Sequence, residues 1–291
     1  MAVHLLRNPV SGRGSRSKAA DQHRLDPLVA GREVIDLTGT SAEASSQALS
    51  SALSNGEIEQ LVIAGGDGLV HLAIQQLAQT DIPVVIVPTG TGNDFAAGVD
   101  HLITSNGTDG LSEVDLLLVS TVDGTQCWVA SIAIAGFPAA INKRANTLSL
   151  PLGPALYTVA AIAELPGYTR TVIDYELTGG LEPVRRATDT GMLAIGNTRF
   201  FGGGMLACPD ARANDGLLHL TSIEGVGRIG ILRHIQHQKG GTADWDEVER
   251  ATGTSVTLHT PDVELWGDGE YLGLTPATIE VIPAALVVKS Q

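Results

Sequence analysis

Apolar-rich runs and helical stretches alternate along the first hundred residues. Runs typical of buried strands occupy 3–6, 32–37, 61–64 and 83–87, and stretches with a helical spacing of apolar residues occupy 16–29, 41–53 and 69–79. Strands of this kind separated by helices predict a parallel sheet that is covered on both faces. Ligands of such sheets bind at the carboxyl ends of the strands. The loops at 8–14, 65–68 and 88–94 are therefore expected to converge on one edge of the sheet.

Beyond about residue 120 the pattern changes to short runs that alternate or are rich in β-branched residues, with turn residues between them. Such runs predict a mainly antiparallel assembly of strands. Helical stretches interrupt it near 139–148, 155–165 and 226–238. We therefore expect an α/β domain over 1–120 and a β-rich, sandwich-like domain over 121–291, with the active site in the cleft between them. The last residues of the chain can pack back on the first domain.

Composition narrows the classes of partner. Hydrophobic residues make up 43% of the 291 residues and charged residues 17%, which is typical of a globular protein. The formal net charge of −14 disfavours nucleic acid as a partner. No apolar stretch is long enough to span a bilayer, so any membrane contact is expected to be peripheral. Cys127 and Cys208 lie in unrelated contexts, which favours a reduced, cytoplasmic chain. Association into a homodimer stays open.

The stretch GGDG, residues 65–68, follows an apolar strand and precedes a helical pattern. Gly65, Gly66 and Gly68 have no side chains, so their backbone amides can approach a bulky ligand. The positive end of the following helix favours phosphate, and the carboxylate of Asp67 would repel a phosphate bound there. A divalent cation between Asp67 and phosphate would offset this repulsion, because magnesium binds carboxylate and phosphate oxygens. The alternative is an ordinary turn with an aspartate cap.

A second loop, PTGTGND at 88–94, also follows a strand. Its small residues, one amide and one carboxylate suit a polyphosphate with a metal, although an Asx-capped turn has the same composition. The first loop, at 8–14, is basic and contains glycine. It fits neither the P-loop pattern nor the dinucleotide-binding pattern.

Taken together, the motifs resemble the catalytic-domain superfamily of diacylglycerol kinases. This superfamily contains bacterial lipid kinases, with sphingosine and ceramide kinases as relatives and NAD kinases more distant. The matching stretches occur in family order over nearly the whole chain. They are NPVSG, GGDG, PTGTGNDFA, GFPAA (136–140), GNTRFFGGGMLACPDARANDGLLHL (196–220) and GDGE (267–270).

The resemblance implies an ATP-dependent lipid kinase whose first domain binds the nucleotide. Asp67 and Asp94 would organise a catalytic Mg²⁺, and Glu270 would act as general base toward a lipid alcohol such as diacylglycerol. A structural Mg²⁺ would be held by the carboxylate of Asp215 and the backbone carbonyls of Arg212 and Leu217. The implied nucleotide-binding residues are Asn8, Pro9, Val10, Ser11, Gly12, Thr38, Gly65, Gly66, Gly68, Leu69, Thr91, Gly92 and Asn93.

Several positions depart from the family pattern. Leu69 stands where threonine is usual, His71-Leu72 where Asn-Glu is common, and Ala97 where arginine is common. These departures leave open a catalytically weak or inactive member that only binds nucleotide or lipid. An NAD kinase relative is a third reading, which the stretch PTGTGNDFA disfavours. His234 and His237 lack neighbours at metal-ligand spacing and are expected on the surface. His71 is expected on the surface of the helix that follows GGDG, with a nucleotide contact as the alternative.

Overall fold

The computed structural model of the protein describes residues 2–8, 23–105, 110–148, 155–180, 182–237 and 245–290. In the first hundred residues, strands and helices alternate. The strands are β1 (Val3–Arg7), β2 (Val34–Asp36), β3 (Leu61–Gly65) and β4 (Val84–Pro88), and the helices are α1 (23–29), α2 (Ala42–Ser54), α3 (Asp67–Leu77) and α4 (Asp94–Ser105).

The four strands form the predicted parallel sheet in the order β4-β3-β1-β2. Their side chains alternate between two buried faces, as expected for a sheet that is covered on both sides. Leu6, Ile63 and Ile86 pack with residues of α2 and α3 on one face. Val62 and Val85 pack with Leu25 on the other.

Two details of this half differ from the pattern. Helix α3 begins at Asp67, two residues before its predicted start, so that Asp67 lies in the first turn. Helix α4 was not predicted, although Phe95, Val99 and Leu102 are buried at helical spacing. Of the predicted helix at 16–29, residues 16–22 lie outside the described part of the chain, and 23–29 are helical.

The second half is rich in strands. These are β5 (Leu111–Thr121), β6 (Gln126–Val129), β7 (Ile132–Gly136), β8 (Thr171–Thr178), β9 (Val184–Gly196), β10 (Phe200–Phe201), β11 (Met205–Leu206), β12 (Leu218–Glu224), β13 (Val248–Gly253), β14 (Ser255–Leu258), β15 (Glu264–Gly267), β16 (Glu270–Leu274) and β17 (Ala277–Lys289). Three α-helices accompany them within the described residues, α5 (Phe137–Thr147), α6 (Ala155–Glu164) and α7 (Arg228–His237), together with a 3₁₀ turn at Leu165–Gly167.

Strand β17 joins the two halves. It pairs antiparallel with β5 and β14, and its end pairs parallel with β4 through Val288 and Val84. The other pairings of the second half are antiparallel. The predicted fold class is therefore confirmed, with mainly parallel strands in the N-terminal half and a β-rich C-terminal half. The pattern did not predict that most strands of both halves share one hydrogen-bonded network.

No helix within the described residues is both long enough and apolar enough to cross a bilayer.

A buried amide ties together the strands beside the cleft. Asn197 is fully buried, and its Nδ2 donates to the carbonyls of Asp115 (2.7 Å) and Ala130 (2.8 Å). Its own backbone N–H donates to the carbonyl of Ser131. These contacts connect the end of β9 to β5 and to the turn between β6 and β7.

We predict that Asn197→Ala lowers the free energy of unfolding by at least about 2 kcal/mol, since each buried carbonyl left without a donor costs roughly 1–3 kcal/mol. Asn55→Ala is the matched control, because Asn55 makes an exposed hydrogen bond to Glu57 and should change stability by less than about 0.5 kcal/mol. Urea unfolding measures both. Equal effects would contradict the central role of Asn197.

Candidate active site

The two glycine loops of the first half touch each other at the carboxyl edge of the parallel sheet. An added Cβ on Gly66 would lie 2.9 Å from Gly90 Cα, and one on Gly90 would lie 2.4 Å from Gly66 Cα. Neither position therefore accepts a side chain. Asn93 closes the second loop, because its side chain accepts from the Gly90 N–H (3.0 Å) and donates to the Gly90 carbonyl (2.8 Å).

Asp67 and Asp94 are each the first residue of a helix, α3 and α4, and lie beside one another. Gly92 separates them, since an added Cβ there would lie 2.7 Å from Asp67 Oδ2 and 3.5 Å from Asp94 Oδ2. Asp67 Oδ1 accepts a hydrogen bond from the Phe95 N–H (3.2 Å). A helix N-terminus favours a carboxylate, so both helices support these charges.

The C-terminal half holds Asp94 with backbone amides. The turn between β10 and β11 contains Gly202, Gly203 and Gly204, all with positive φ. The N–H of Gly203 donates to Asp94 Oδ2 (2.9 Å) and the N–H of Gly204 to Asp94 Oδ1 (2.7 Å). Both oxygens of Asp94 are thus oriented by a turn about 110 residues further along the chain.

Glu270 reaches the same place from the start of β16. Its Oε1 lies 3.6 Å from the point that a Cβ on Gly68 would occupy. Asp67, Asp94 and Glu270 line a common pocket of about 230 Å³ between the two halves. Its other described lining residues are Gly68, Thr91, Gly92, Ser131, Ile132, Ile134, Asn142, Asn146, Tyr157, Phe201, Gly202, Gly203, Asp268 and Gly269. The cleft expected from the sequence therefore brings the three acids together.

Burial and neighbouring negative charges raise the pKa values of several groups in this pocket. Burial, and then the negative charge of Asp94, raise the pKa of Asp67 to about 6, against the opposing hydrogen bond from Phe95. Burial also raises the pKa of Asp94, although the Gly203 and Gly204 amides oppose the shift. Burial followed by the charges of Asp94, Asp67 and Glu270 raises the pKa of Tyr157. Among the described lining residues there is no lysine or arginine.

A cation bound in this pocket would need further ligands besides the protein carboxylates. Within the described residues, no three His, Cys, Asp or Glu side chains form a metal-binding group of their own. Magnesium commonly uses one or two carboxylates together with substrate phosphate oxygens. Buried, mutually repelling carboxylates without a described basic partner fit that type of site.

The remaining nucleotide-binding candidates lie near the same edge or outside the described residues. Thr38 Oγ1 accepts from the Arg7 N–H (3.0 Å) at the end of β1, and the Asn8 N–H donates to the Ala64 carbonyl (3.2 Å). Leu69 packs over Gly65, because an added Cβ on Gly65 would clash with its side chain. Pro9, Val10, Ser11 and Gly12 lie outside the described residues.

The three structural-metal candidates share one turn. The Asp215 N–H donates to the Arg212 carbonyl (3.3 Å), and Asp215 Oδ1 accepts from the Leu217 N–H (3.0 Å). Asp215 Oδ2 lies 3.0 Å from His219 Nε2. Both oxygens of Asp215 therefore have protein partners, and its role as a metal ligand stays a prediction.

Two expectations about histidines are wrong. His71 is buried, and its Nδ1 lies 3.2 Å from Asp268 Oδ2, because the turns before β7 and β16 cover this face of α3. His234 is buried against Trp245, with ring centroids 4.0 Å apart. The side chain of His237 lies outside the described residues.

Sequence reasoning also missed Gly203, Gly204 and Asp268 as site residues. The run of three glycines and the acid beside Glu270 were visible in the sequence. What they contact depends on the tertiary fold, which no local spacing reveals.

The raised pKa of Asp67 gives a prediction about stability. The folded state holds this proton more tightly than the unfolded state, so the contribution of Asp67 is most favourable below pH 4 and is lost as pH rises through about 6. Asp67→Asn should therefore stabilise the chain by about 1 kcal/mol more at pH 7 than at pH 5. Urea unfolding at both pH values checks this, with the exposed Asp81→Asn as control. An equal effect of Asp67→Asn at both pH values would contradict the raised pKa.

Two family models match the chain. The model described as "Diacylglycerol kinase catalytic domain" matches residues 2–120, and the one described as "YegS C-terminal NAD kinase beta sandwich-like domain" matches 131–290.

Similar proteins carry related names. A protein named "Diacylglycerol kinase" from Mycobacterium tuberculosis is 35% identical over 303 residues, covering 98% of this chain and 94% of that protein. A "Probable lipid kinase YegS" from Salmonella gallinarum is 29% identical over 241 residues, covering 79% of this chain and 77% of that protein.

A solved structure has the same fold. The crystal structure of a putative diacylglycerol kinase from Bacillus anthracis aligns with a TM-score of 0.73 at 17% identity, covering 100% of this chain and 97% of that one. The fold, the two family models and the identity over almost the full length agree. The chain belongs to the diacylglycerol kinase family of lipid kinases.

Proposed function

We propose that this lipid kinase transfers the γ-phosphate of ATP to the hydroxyl of a lipid such as diacylglycerol, with Mg²⁺ bound by Asp67 and Asp94 and with Glu270 as general base. The observation that carries the proposal is the common pocket of these three acids. They come from two helix N-termini and from a strand about 200 residues further along the chain.

The first half supports nucleotide binding. Phosphate groups bind readily where backbone amides and helix N-termini meet, and the contacting loops at Gly66 and Gly90 provide such an edge. ATP would lie across this edge, beside Thr38 and Thr91. Phosphoryl transfer depends mainly on positioning and on neutralising charge.

The acids and the metal have distinct roles in this proposal. Bound Mg²⁺ would neutralise the charge on the phosphate oxygens during transfer. Asp67 and Asp94 would hold it, and the Gly203 and Gly204 amides would keep Asp94 oriented. Glu270 carries the remaining carboxylate of the three and can take the proton of the acceptor hydroxyl.

The other wall of the pocket fits an acceptor with polar and apolar parts. Ile132, Ile134 and Phe201 provide apolar surface, while Asn142 and Tyr157 provide polar groups. Further along α6, Val159 and Ile162 are exposed to solvent by 39% and 58% of their surface. We infer that this helix contacts the membrane surface peripherally, from the cytoplasmic side, when the acceptor enters.

A catalytically weak or inactive member is the second candidate. Leu69 offers no hydroxyl to a phosphate and packs on Gly65 instead, and Ala97 is exposed without a charged side chain. The intact set of three acids favours the active enzyme.

Transfer of labelled phosphate from ATP to lipids tests the proposal. We expect wild type to label a diacylglycerol-containing lipid mixture, and Glu270→Gln to lower kcat by about 100-fold or more, because it removes the base. Asp94→Asn should lower activity at least as strongly. The exposed Glu59→Gln is the control and should leave kcat unchanged. Nucleotide binding by wild type without transfer to any lipid would favour the inactive member.

The triglycine turn gives a second prediction. Gly203 and Gly124 have nearly the same φ, +87° and +86°, and an added Cβ on either meets no atom within 4 Å. Alanine at either position should therefore cost about 1 kcal/mol of stability through backbone strain. Gly203→Ala alone should also lower kcat, by about tenfold or more, because it displaces the amides that orient Asp94. Equal kcat values for the two variants would contradict this role of the turn.

A further inference from the structure

A buried histidine links the two halves beside the pocket. His71 lies four residues after Asp67 on α3, so both project from the same side of the helix. His71 Nδ1 lies 3.2 Å from Asp268 Oδ2, and the two side chains are 11% and 2% exposed. Asp268 is two residues before Glu270. The contact therefore joins the helix that carries Asp67 to the turn that carries Glu270.

Asp268 uses both carboxylate oxygens to fix that turn. Oδ2 also accepts from the Ala130 N–H (2.7 Å), and Oδ1 accepts from the Ser131 N–H (2.8 Å). Asp268 and Gly269 have φ of +52° and +89°, a left-handed turn that directs Glu270 back toward Gly68. The position of Glu270 thus follows from the hydrogen bonds of Asp268.

Helix α3 also binds strand β6 through Gln75. Gln75 Nε2 donates to the Trp128 carbonyl (2.8 Å), and Gln75 Oε1 accepts from the Trp128 N–H (2.9 Å). Cys127 Sγ lies 3.7 Å from His71 Nε2. We call the set of His71, Gln75, Cys127 and Asp268 the His71 clamp. It connects α3, β6 and the turn before β16.

The charge of His71 matters because acids surround it. Burial alone would lower the pKa of His71, but its hydrogen bonds to Asp268 and Cys127 and the negative charge of Asp268 outweigh burial and raise it to about 10. His71 is therefore protonated at neutral pH and compensates Asp268. The charge of Asp268 also contributes to the raised pKa values of Asp67 and Asp94. A neutral side chain at position 71 would leave this buried acid without a charged partner.

We propose that His71 is a positioning residue for phosphoryl transfer: through Asp268 it holds the turn that carries Glu270 against the helix that carries Asp67. This inference rests on the proposed function, because it concerns the alignment of the same acids. His71 touches neither nucleotide nor acceptor in this role. It acts through Asp268, and its loss should change kcat rather than the binding of ATP.

A double-mutant cycle tests the clamp. His71→Asn should lower kcat by about 10- to 100-fold and change KM for ATP by less than about threefold, since the nucleotide loops are untouched. Asp268→Asn should lower kcat similarly. The double variant should be no slower than the slower single variant, because the two residues act as one pair. A double variant whose loss of kcat equals the product of the two single losses would overturn the proposal. An unchanged kcat for His71→Asn would also overturn it.

A more exposed histidine–acid pair in the C-terminal half provides a matched control. His259 Nε2 lies 3.7 Å from Glu176 in a more exposed pair, with side chains 33% and 42% exposed. His259→Asn, Glu176→Gln and their double variant should leave kcat unchanged. If the His259 and Glu176 variants lose as much kcat as the His71 and Asp268 variants, both losses reflect general destabilisation, and the proposal is overturned.

A measurement on wild type keeps the proposal testable if His71→Asn fails to fold. ¹⁵N NMR of the imidazole rings should show both nitrogens of His71 protonated at pH 8, and Asp268→Asn should lower the pKa of His71. A neutral His71 at pH 8 would overturn the clamp. Absence of any lipid labelling by wild type would instead remove the proposed function. Labelling by wild type together with a neutral His71 would remove the clamp alone.

Discussion

Mutual repulsion among neighbouring carboxylates governs the organisation of this protein. Asp67, Asp94, Asp268 and Glu270 line one pocket whose described lining contains no lysine or arginine. Glu270 is the exposed member of the group. Such a cluster costs free energy unless other groups compensate it. The protein provides helix N-termini and backbone amides for Asp67 and Asp94, and a buried histidine for Asp268. What remains uncompensated is negative charge, which the Mg²⁺ of the proposed mechanism would balance.

This compensation also explains why the two halves are joined so closely. Asp94 belongs to the first half, yet the amides that orient it belong to the turn between β10 and β11. Asp268 belongs to the second half, yet its imidazole partner lies on α3. Strand β17 and the amide of Asn197 hold the strands in register around these contacts. The pocket is therefore a property of the whole chain and of neither half alone.

Much of the fold could be predicted from local pattern. The parallel strands at 61–64 and 83–87 were evident because buried runs and helical spacing depend only on neighbouring residues. Helix α4 escaped because the preceding motif was interpreted only as a loop. The three acids could be named from their motifs. The partners of these acids could not be predicted in this way. From the sequence His71 has the pattern of a surface residue of α3, and only the fold shows that the turn at Asp268 covers it. The hydrogen bond from Gly203 to Asp94 joins residues about 110 positions apart.

The proposed mechanism requires acids from both halves to face one metal-bound triphosphate. A crystal structure with Mn²⁺ and a non-hydrolysable ATP analogue would show whether they do, because manganese can be located by its anomalous scattering. We expect a manganese peak within coordination distance of Asp67 or Asp94 and of the phosphate oxygens, with the Glu270 carboxylate facing the γ-phosphate across the pocket. A metal and triphosphate bound away from these acids, or Glu270 turned out of the pocket with the nucleotide in place, would contradict it.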